Sequence, residues 1–317
     1  MQLNAITRKS ALLAIILLVA ILVAAAIRYW HTPFEVELAD SEFRGRTISL
    51  IFAMFLFLCV GIVEGKILPR SGLSKGYCTL PIPLYGLLSC GVFVAPDTLA
   101  AAATSLCFAV SLHLLLRSLH NADEKDSVFF ASILLGITPL LCPPCVVLCG
   151  VIPLSIFILA LSARQIVLMI IGYLLPLAGA SYIVWYKGGP IPEFWESLCS
   201  ALSVPQVSSI TNVPYVAIVL VAAVVVISLW GGIYVMIRPN KMFLLSRVRR
   251  ALHLFVWVTL LSLAMFFIPS CNLPVCSVVA VPITILLSFV LSILPNNHST
   301  IAYWALLLLF VLHLFLL

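Results

Sequence analysis

Two groups of side chains in this 317-residue chain have the types and spacing to do chemistry. The first lies in HTPFEVELADSEFRGRT, His31 to Thr47, where the acids Glu35, Glu37, Asp40 and Glu42 precede Arg44 and Arg46. A positioned carboxylate can serve as a general base. Asp40, with Glu37 second, is therefore the candidate to activate an acceptor or to hold a divalent metal ion. A guanidinium fork matches phosphate oxygens, so Arg44 and Arg46 are the candidates for binding the phosphate of a lipid-linked substrate. The competing reading is topological: outward loops are acidic simply because basic residues are retained inside.

The second group is cysteine. Cys142 and Cys145 form Cys-Pro-Pro-Cys within LLCPPCVVLC, and Cys271 and Cys276 lie in SCNLPVC. Two pairs on the oxidising side of a membrane could relay disulfides between an extracytoplasmic partner and a membrane quinone, or form plain structural bridges. A Cys-x-x-Cys thiolate gains reactivity at a helix N-terminus. Cys142 is instead expected at a helix C-terminus, where the dipole disfavours a thiolate. That weighs toward structural or inert sulfurs.

The elements that must position these residues are membrane helices. Hydrophobic residues make up 63% of the chain and charged ones 9%, far below the charge content of a soluble domain. The fold expected is all-α, a single transmembrane bundle over residues 1–317. At about 20 apolar residues per crossing, spans fall near 10–30, 48–68, 78–95, 98–117, 166–186, 213–237, 252–269, 274–294 and 301–317. The first run follows Arg8 and Lys9 and is longer than a signal-peptide core, so it is read as an uncleaved helix. Cysteines inside apolar runs, such as Cys59 and Cys107, count as small hydrophobes.

Between 127 and 162 the apolar block is too long for one crossing and just long enough for two. Read as a hairpin, with spans at 128–141 and 145–162, it gives about eleven helices. With a cytoplasmic N-terminus, thirteen of the seventeen basic residues then face inward. A single crossing would turn Arg238–Arg250, which carries five basic residues and no acid, outward against the positive-inside rule. The hairpin puts Cys-Pro-Pro-Cys at its outward apex. Pro143 and Pro144 cannot donate backbone hydrogen bonds, so one limb ends near Leu141 and the next starts in its first turn.

Outside the spans, residues 191–204 carry Phe194, Trp195, Leu198 and Leu202 at helical spacing and read as a helix lying in the outer interface. The basic loop is a topology anchor or a grip on anionic lipid. No nucleic-acid partner is expected, because the positive charges are scattered among loops. Of ionisable residues at depth, only His113, His253 and His313 stand out, with Glu64 and Lys66 near a cytoplasmic helix end. With no acid expected mid-helix, a proton- or sodium-coupled carrier is the weaker class.

One segment carries a resemblance. From Ser111 to Tyr186 the chain combines a helix ending in Arg117, the motif Leu134-Leu135-Gly136-Ile137 read as a turn, and the Pro143-Pro144 apex. A basic Ala163-Arg164-Gln165 loop and Gly172-Tyr173-Leu174-Leu175-Pro176 follow. This resembles an uncharacterised family of multipass inner-membrane proteins from Bacteroidetes-type bacteria. It also looks like the central region of the C-type integral-membrane glycosyltransferases, which use polyprenyl-phosphate sugars at the outer face. That likeness implies a catalytic acid in the first outer loop, at Asp40 or, second, Glu37. The chain departs from the pattern in its short first loop, its lack of a large outer domain, and Cys-Pro-Pro-Cys where many relatives carry arginine. The expectation is thus a multi-pass protein of the bacterial inner membrane handling a polyprenyl-phosphate-type substrate at the outer leaflet, with glycosyl transfer as its chemistry if it is an enzyme. The alternative from another class is a non-catalytic subunit working with other envelope proteins in assembly or secretion. A thiol–disulfide relay and a transporter are the minor alternatives.

Overall fold

The computed structural model describes residues 11–31, 40–71, 73, 79–89, 98–118, 125–203, 215–237, 246–271, 275–293, 301–306 and 308, and all regular structure among them is helical. The α-helices are α1 (Ala11–His31), α2 (Asp40–Arg70), α3 (Pro81–Ser89), α4 (Thr98–Ser118), α5 (Lys125–Leu141) and α6 (Val151–Leu159). They continue with α7 (Ala163–Tyr186), α8 (Ile191–Ser203), α9 (Tyr215–Ile237), α10 (Ser246–Leu263) and α11 (Cys276–Ile293). Two 3-10 helices, Pro143–Gly150 and Ala264–Phe267, precede α6 and follow α10, and residues 301–306 are helical. Among the described residues, five stretches are long and apolar enough to cross a membrane: Ile48–Pro69, Thr98–Ser118, Ala163–Tyr186, Arg247–Phe267 and Cys276–Ile293. Leu12–Ile27, Asp126–Leu141, Pro143–Leu159 and Val221–Ile237 are shorter apolar helices. Such sequences favour helices in hydrocarbon because a helix satisfies every backbone group within itself.

The apolar block around Pro143-Pro144 does form two limbs. Leu141 ends α5, and Cys142 turns extended (φ −143°, ψ 102°), as a residue before proline must. Its N–H still donates to the Thr138 carbonyl at 3.0 Å, while the next available donor, Cys145 N–H, reaches the Cys142 carbonyl at 2.9 Å and opens the 3-10 helix. The second limb thus begins at Pro143 and ends at Leu159, earlier at both ends than the expected 145–162. Its 3-10 opening has a physical consequence. Seventeen residues of α-helix rise about 26 Å, short of the roughly 30 Å hydrocarbon core. Eight residues at the 3-10 rise and nine at the α rise reach about 30 Å, so the 3-10 opening lengthens the limb by about 4 Å.

This limb lies against α10. The Pro143–Gly150 helix touches Ala264–Phe267, α10 and α8 at one end. At the other end Arg250 Nη1 donates to the Leu159 carbonyl at 3.3 Å. The limb therefore runs antiparallel to α10 along the thickness of the bundle. Leu159 is followed by Ala160 in the left-handed region (φ 53°, ψ 57°), which closes the helix. Ser162 then starts α7, and Gln165 Oε1 accepts from the Ser162 N–H at 2.9 Å and from its hydroxyl at 3.0 Å. Ala163-Arg164-Gln165, expected as a loop, is the first turn of α7; the connection is only Ala160 to Ser162.

α11 is the central post. It packs on α2, α3, α4, α9 and α10, and Ser277 through Phe289 are all buried. A helix apolar all round belongs in such a place. α3 is likewise buried along all nine residues. α7 is the opposite case, held mainly by α5, with Ile170, Ile171, Leu174, Leu175 and Ile183 exposed. Gly136 of α5 and Gly172 of α7 set that contact. A Cβ on Gly136 would run into the Tyr173 carbonyl and stand 2.9 Å from Pro176 Cγ; one on Gly172 would run into Ser132 Oγ and stand 2.8 Å from the Phe129 carbonyl. The expected Leu-Leu-Gly-Ile turn is therefore helix interior, its glycine admitting a neighbouring backbone. The expected interfacial segment is helix α8, docked on α7 and on the Pro143–Gly150 helix, with Phe194, Leu198 and Leu202 half-buried.

Candidate functional site

Three places carry chemistry. The first is the start of α2. Sequence reasoning put Asp40, Arg44 and Arg46 in a loop; the structure places all three in the opening turns of a 31-residue helix whose apolar part begins at Ile48. Polar residues past the apolar run continue the helix, since the acids Asp40 and Glu42 suit its first turn. Glu37 lies outside the described residues.

The second place is the meeting of the two cysteine pairs, far apart in sequence. The end of α5 and the Pro143–Gly150 helix bring up Cys142 and Cys145, and the turn after Ala264–Phe267 brings up Cys271, with Cys276 opening α11. The Cys142 and Cys145 thiols are hydrogen-bonded to one another, and Cys271 stands beside Cys142 and Cys276. All four are reduced cysteines; Cys142, Cys145 and Cys271 are buried and Cys276 is half-buried. Burial foremost, then the sulfurs of Cys276 and Cys142, push the Cys271 thiol up to about 12. As folded, three of the four thiols are shielded by burial. Exchange needs both a thiolate and access, so it requires this corner to open.

The third place was missed by sequence reasoning. Glu64 of α2 was read as lying near a helix end, and it is indeed six residues before Arg70. In space, however, it is fully buried against Thr284, the ninth residue of the 18-residue α11. Thr284 Oγ1 lies 2.7 Å from Glu64 Oε2, while Glu64 Oε1 is buried with no hydrogen-bond partner among the described residues. Gly61 and Gly65 flank it, and Cβ atoms there would stand 2.8 Å from Leu18 Cδ2 and 3.0 Å from Ile82 Cδ1. The available signal was Gly61-Ile62-Val63-Glu64-Gly65 itself, since small residues four apart mark close helix packing in membranes.

Among the described residues no group of three or more His, Cys, Asp or Glu side chains could hold a metal ion. A divalent ion at Asp40 would need ligands from outside those residues or from a bound phosphate. The fold is that of a helical bundle, with five helices among the described residues long and apolar enough to cross a membrane. No family model matches the chain, and comparison with curated proteins and with solved structures finds no match.

Proposed function

We propose that this is a multi-pass inner-membrane protein that handles a lipid-linked, polyprenyl-phosphate-type substrate at the outer leaflet. The observation that carries the reading is the placement of Asp40, Arg44 and Arg46 on a helix continuous with the apolar run Ile48–Pro69. Counting 1.5 Å per residue outward from Ile48, Arg46 stands about 3 Å, Arg44 about 6 Å and Asp40 about 12 Å along the helix. The headgroup layer is roughly 5–7 Å deep on each side. Both arginines therefore fall at phosphate depth and Asp40 just beyond it, where a group carried on that phosphate would meet a carboxylate. In the transferase form of the reading, Asp40 takes the acceptor proton, or holds a divalent ion, as a glycosyl group leaves the lipid phosphate.

The test is photocrosslinking of the purified full chain, in lipid, with a polyprenyl phosphate probe, followed by transfer assays with polyprenyl-phosphate sugars. A charge-assisted hydrogen bond is worth about 1.5–3 kcal/mol, so Arg44→Ala should weaken capture roughly 10- to 100-fold. Asp40→Asn should leave capture intact and abolish transfer. Capture unaffected by Arg44→Ala and Arg46→Ala together would sink the reading. Capture without transfer by the wild type would keep the substrate class and remove the enzyme.

One observation favours a second reading, a thiol–disulfide relay: the convergence of Cys142, Cys145, Cys271 and Cys276. In it a partner dithiol attacks an oxidised Cys142–Cys145 pair, forming a mixed disulfide and releasing one thiol. The partner's second thiol then closes its own disulfide and leaves Cys142 and Cys145 reduced. The same exchange passes two electrons to an oxidised Cys271–Cys276 pair, which a quinone reoxidises with uptake of two protons. Alkylation with a mass-tagged maleimide, with and without reductant, decides it. Four sulfurs that stay thiols under oxidised quinone, or bridges that persist against a dithiol, would end the idea.

A further inference from the structure

We propose that Glu64 is a proton-binding site at the junction of α2, α3 and α11, in which the carboxylic acid donates to Thr284 and exchanges its proton within the folded protein. The argument begins with counting protons. Thr284 has one hydroxyl hydrogen, yet its Oγ1 lies 2.7 Å from Glu64 Oε2 and 2.9 Å from the carbonyl oxygens of both Ala280 and Val281. Three acceptors cannot share one hydrogen well. An acid proton on Glu64 resolves this: Oε2–H donates to Oγ1, and Oγ1 donates back to its own helix, the usual habit of a threonine inside one. The site then lacks nothing at Oε2, and Oε1 becomes a neutral carbonyl oxygen, far less costly to leave unpaired in an apolar bundle than a carboxylate oxygen.

Among the described residues, the surroundings offer no other way to hold a charge. Leu18 of α1 and Ile82 of α3 close on the flanking glycines, and Glu64 has no ion pair among the described residues. The titratable groups on the packed elements are Arg28, Tyr29 and His31 at the far end of α1, Tyr85 of α3, Cys107, His113 and Arg117 of α4, and Cys276 two turns above Thr284. Tyr85 donates to Ser105 at 3.1 Å. On α2 itself Cys59 is half-buried and Lys66 exposed. A sodium ion would need several oxygens around it; Glu64 and Thr284 with helix carbonyls already engaged supply too few. A proton needs only the pair that is present.

Infrared spectroscopy of the full chain in lipid reads the proton directly. The wild type should show a carboxylic C=O band at neutral pH that Glu64→Gln lacks, the variant being checked by gel filtration for its fold. Thr284→Val, which removes the acceptor while leaving the acid, should move that band to higher frequency. Raising the pH should bleach the band and returning to neutral should restore it, with the gel-filtration profile unchanged. A carboxylate signal in its place at neutral pH would overturn the assignment. So would a band that disappears only when the protein unfolds, or one that sodium removes at constant pH.

Discussion

The contact between α5 and α7 gives a stability prediction whose sign is not the obvious one. Replacing glycine by alanine inside a helix ordinarily stabilises by about 1 kcal/mol, since glycine loses the most backbone freedom. At Gly136 the new Cβ would meet the Tyr173 carbonyl, which is backbone, and Pro176 Cγ, which is a ring; at Gly172 it would meet Ser132 Oγ and the Phe129 carbonyl. Neither backbone oxygen can move without its helix. Overpacking of this kind costs about 1–3 kcal/mol, so the clash cancels or outweighs the propensity gain, leaving a net loss of up to about 2 kcal/mol at each site. The two substitutions push the same pair of helices apart. Once one has separated them the other is partly relieved, so the double variant should lose clearly less than the sum. Gly179, on the same exposed helix α7, has none of the described residues within 4 Å of its would-be Cβ. Gly179→Ala should therefore stabilise by up to about 1 kcal/mol. Thermal unfolding of the purified protein in one detergent, followed by size-exclusion fluorescence, ranks all four variants. Stabilisation by Gly136→Ala or Gly172→Ala comparable to Gly179→Ala, or strict additivity of the pair, would refute the close-contact argument.

Ala160→Gly should stabilise by about 0.5–1 kcal/mol, because the left-handed residue costs an alanine about 1–2 kcal/mol and glycine regains part of that as unfolded-chain freedom; the same melting assay checks it. Gln165→Ala should destabilise by at least about 1 kcal/mol, since the Ser162 N–H loses its acceptor. For Cys271, whose thiol is pushed up to about 12, the neutral form persists through the range where an ordinary thiol ionises. Its alkylation, read by peptide mass spectrometry, should thus keep rising beyond pH about 9, the ordinary thiol value, while exposed Cys199 labels first; a Cys271 rate that levels off there would contradict the burial argument. If the proposed topology holds, a membrane-impermeant maleimide added to intact spheroplasts should reach Cys199 of α8; labelling only after lysis would invert it.

The break of the apolar block into two helical limbs was legible from Pro143 and Pro144, which cannot continue the preceding helix. The 3-10 opening of the second limb was not, since nothing in LLCPPCVVLC distinguishes a helix that stretches from one that merely starts late. The extension of α2 back to Asp40 was hidden for a different reason. A hydropathy run ends where the bilayer ends, and a helix need not stop there. The cysteine pairs could each be placed on an apex, but their meeting depends on how α10 lies against the returning limb, which is a fact of tertiary packing.

Glu64 and the glycines show why the rest was harder to read than in a water-soluble fold. There, apolar periodicity reports which face is inside, because the outside is polar. In lipid the outside is as apolar as the core, and the signal vanishes. Ala163–Tyr186 and Cys276–Ile293 illustrate it: their hydropathies are 2.1 and 2.5, yet 17% of the first is buried and 78% of the second. What still distinguishes a helix-facing residue from a lipid-facing one is what lipid would not tolerate or would not need. Gly136 and Gly172 give up side chain to admit a backbone, Ser132 and Thr284 return their hydroxyls to their own helices, and Glu64 carries a carboxyl that hydrocarbon would expel. Reading those residues first, before any hydrophobic pattern, would have joined α5 to α7 and placed Glu64 inside the bundle from the sequence alone.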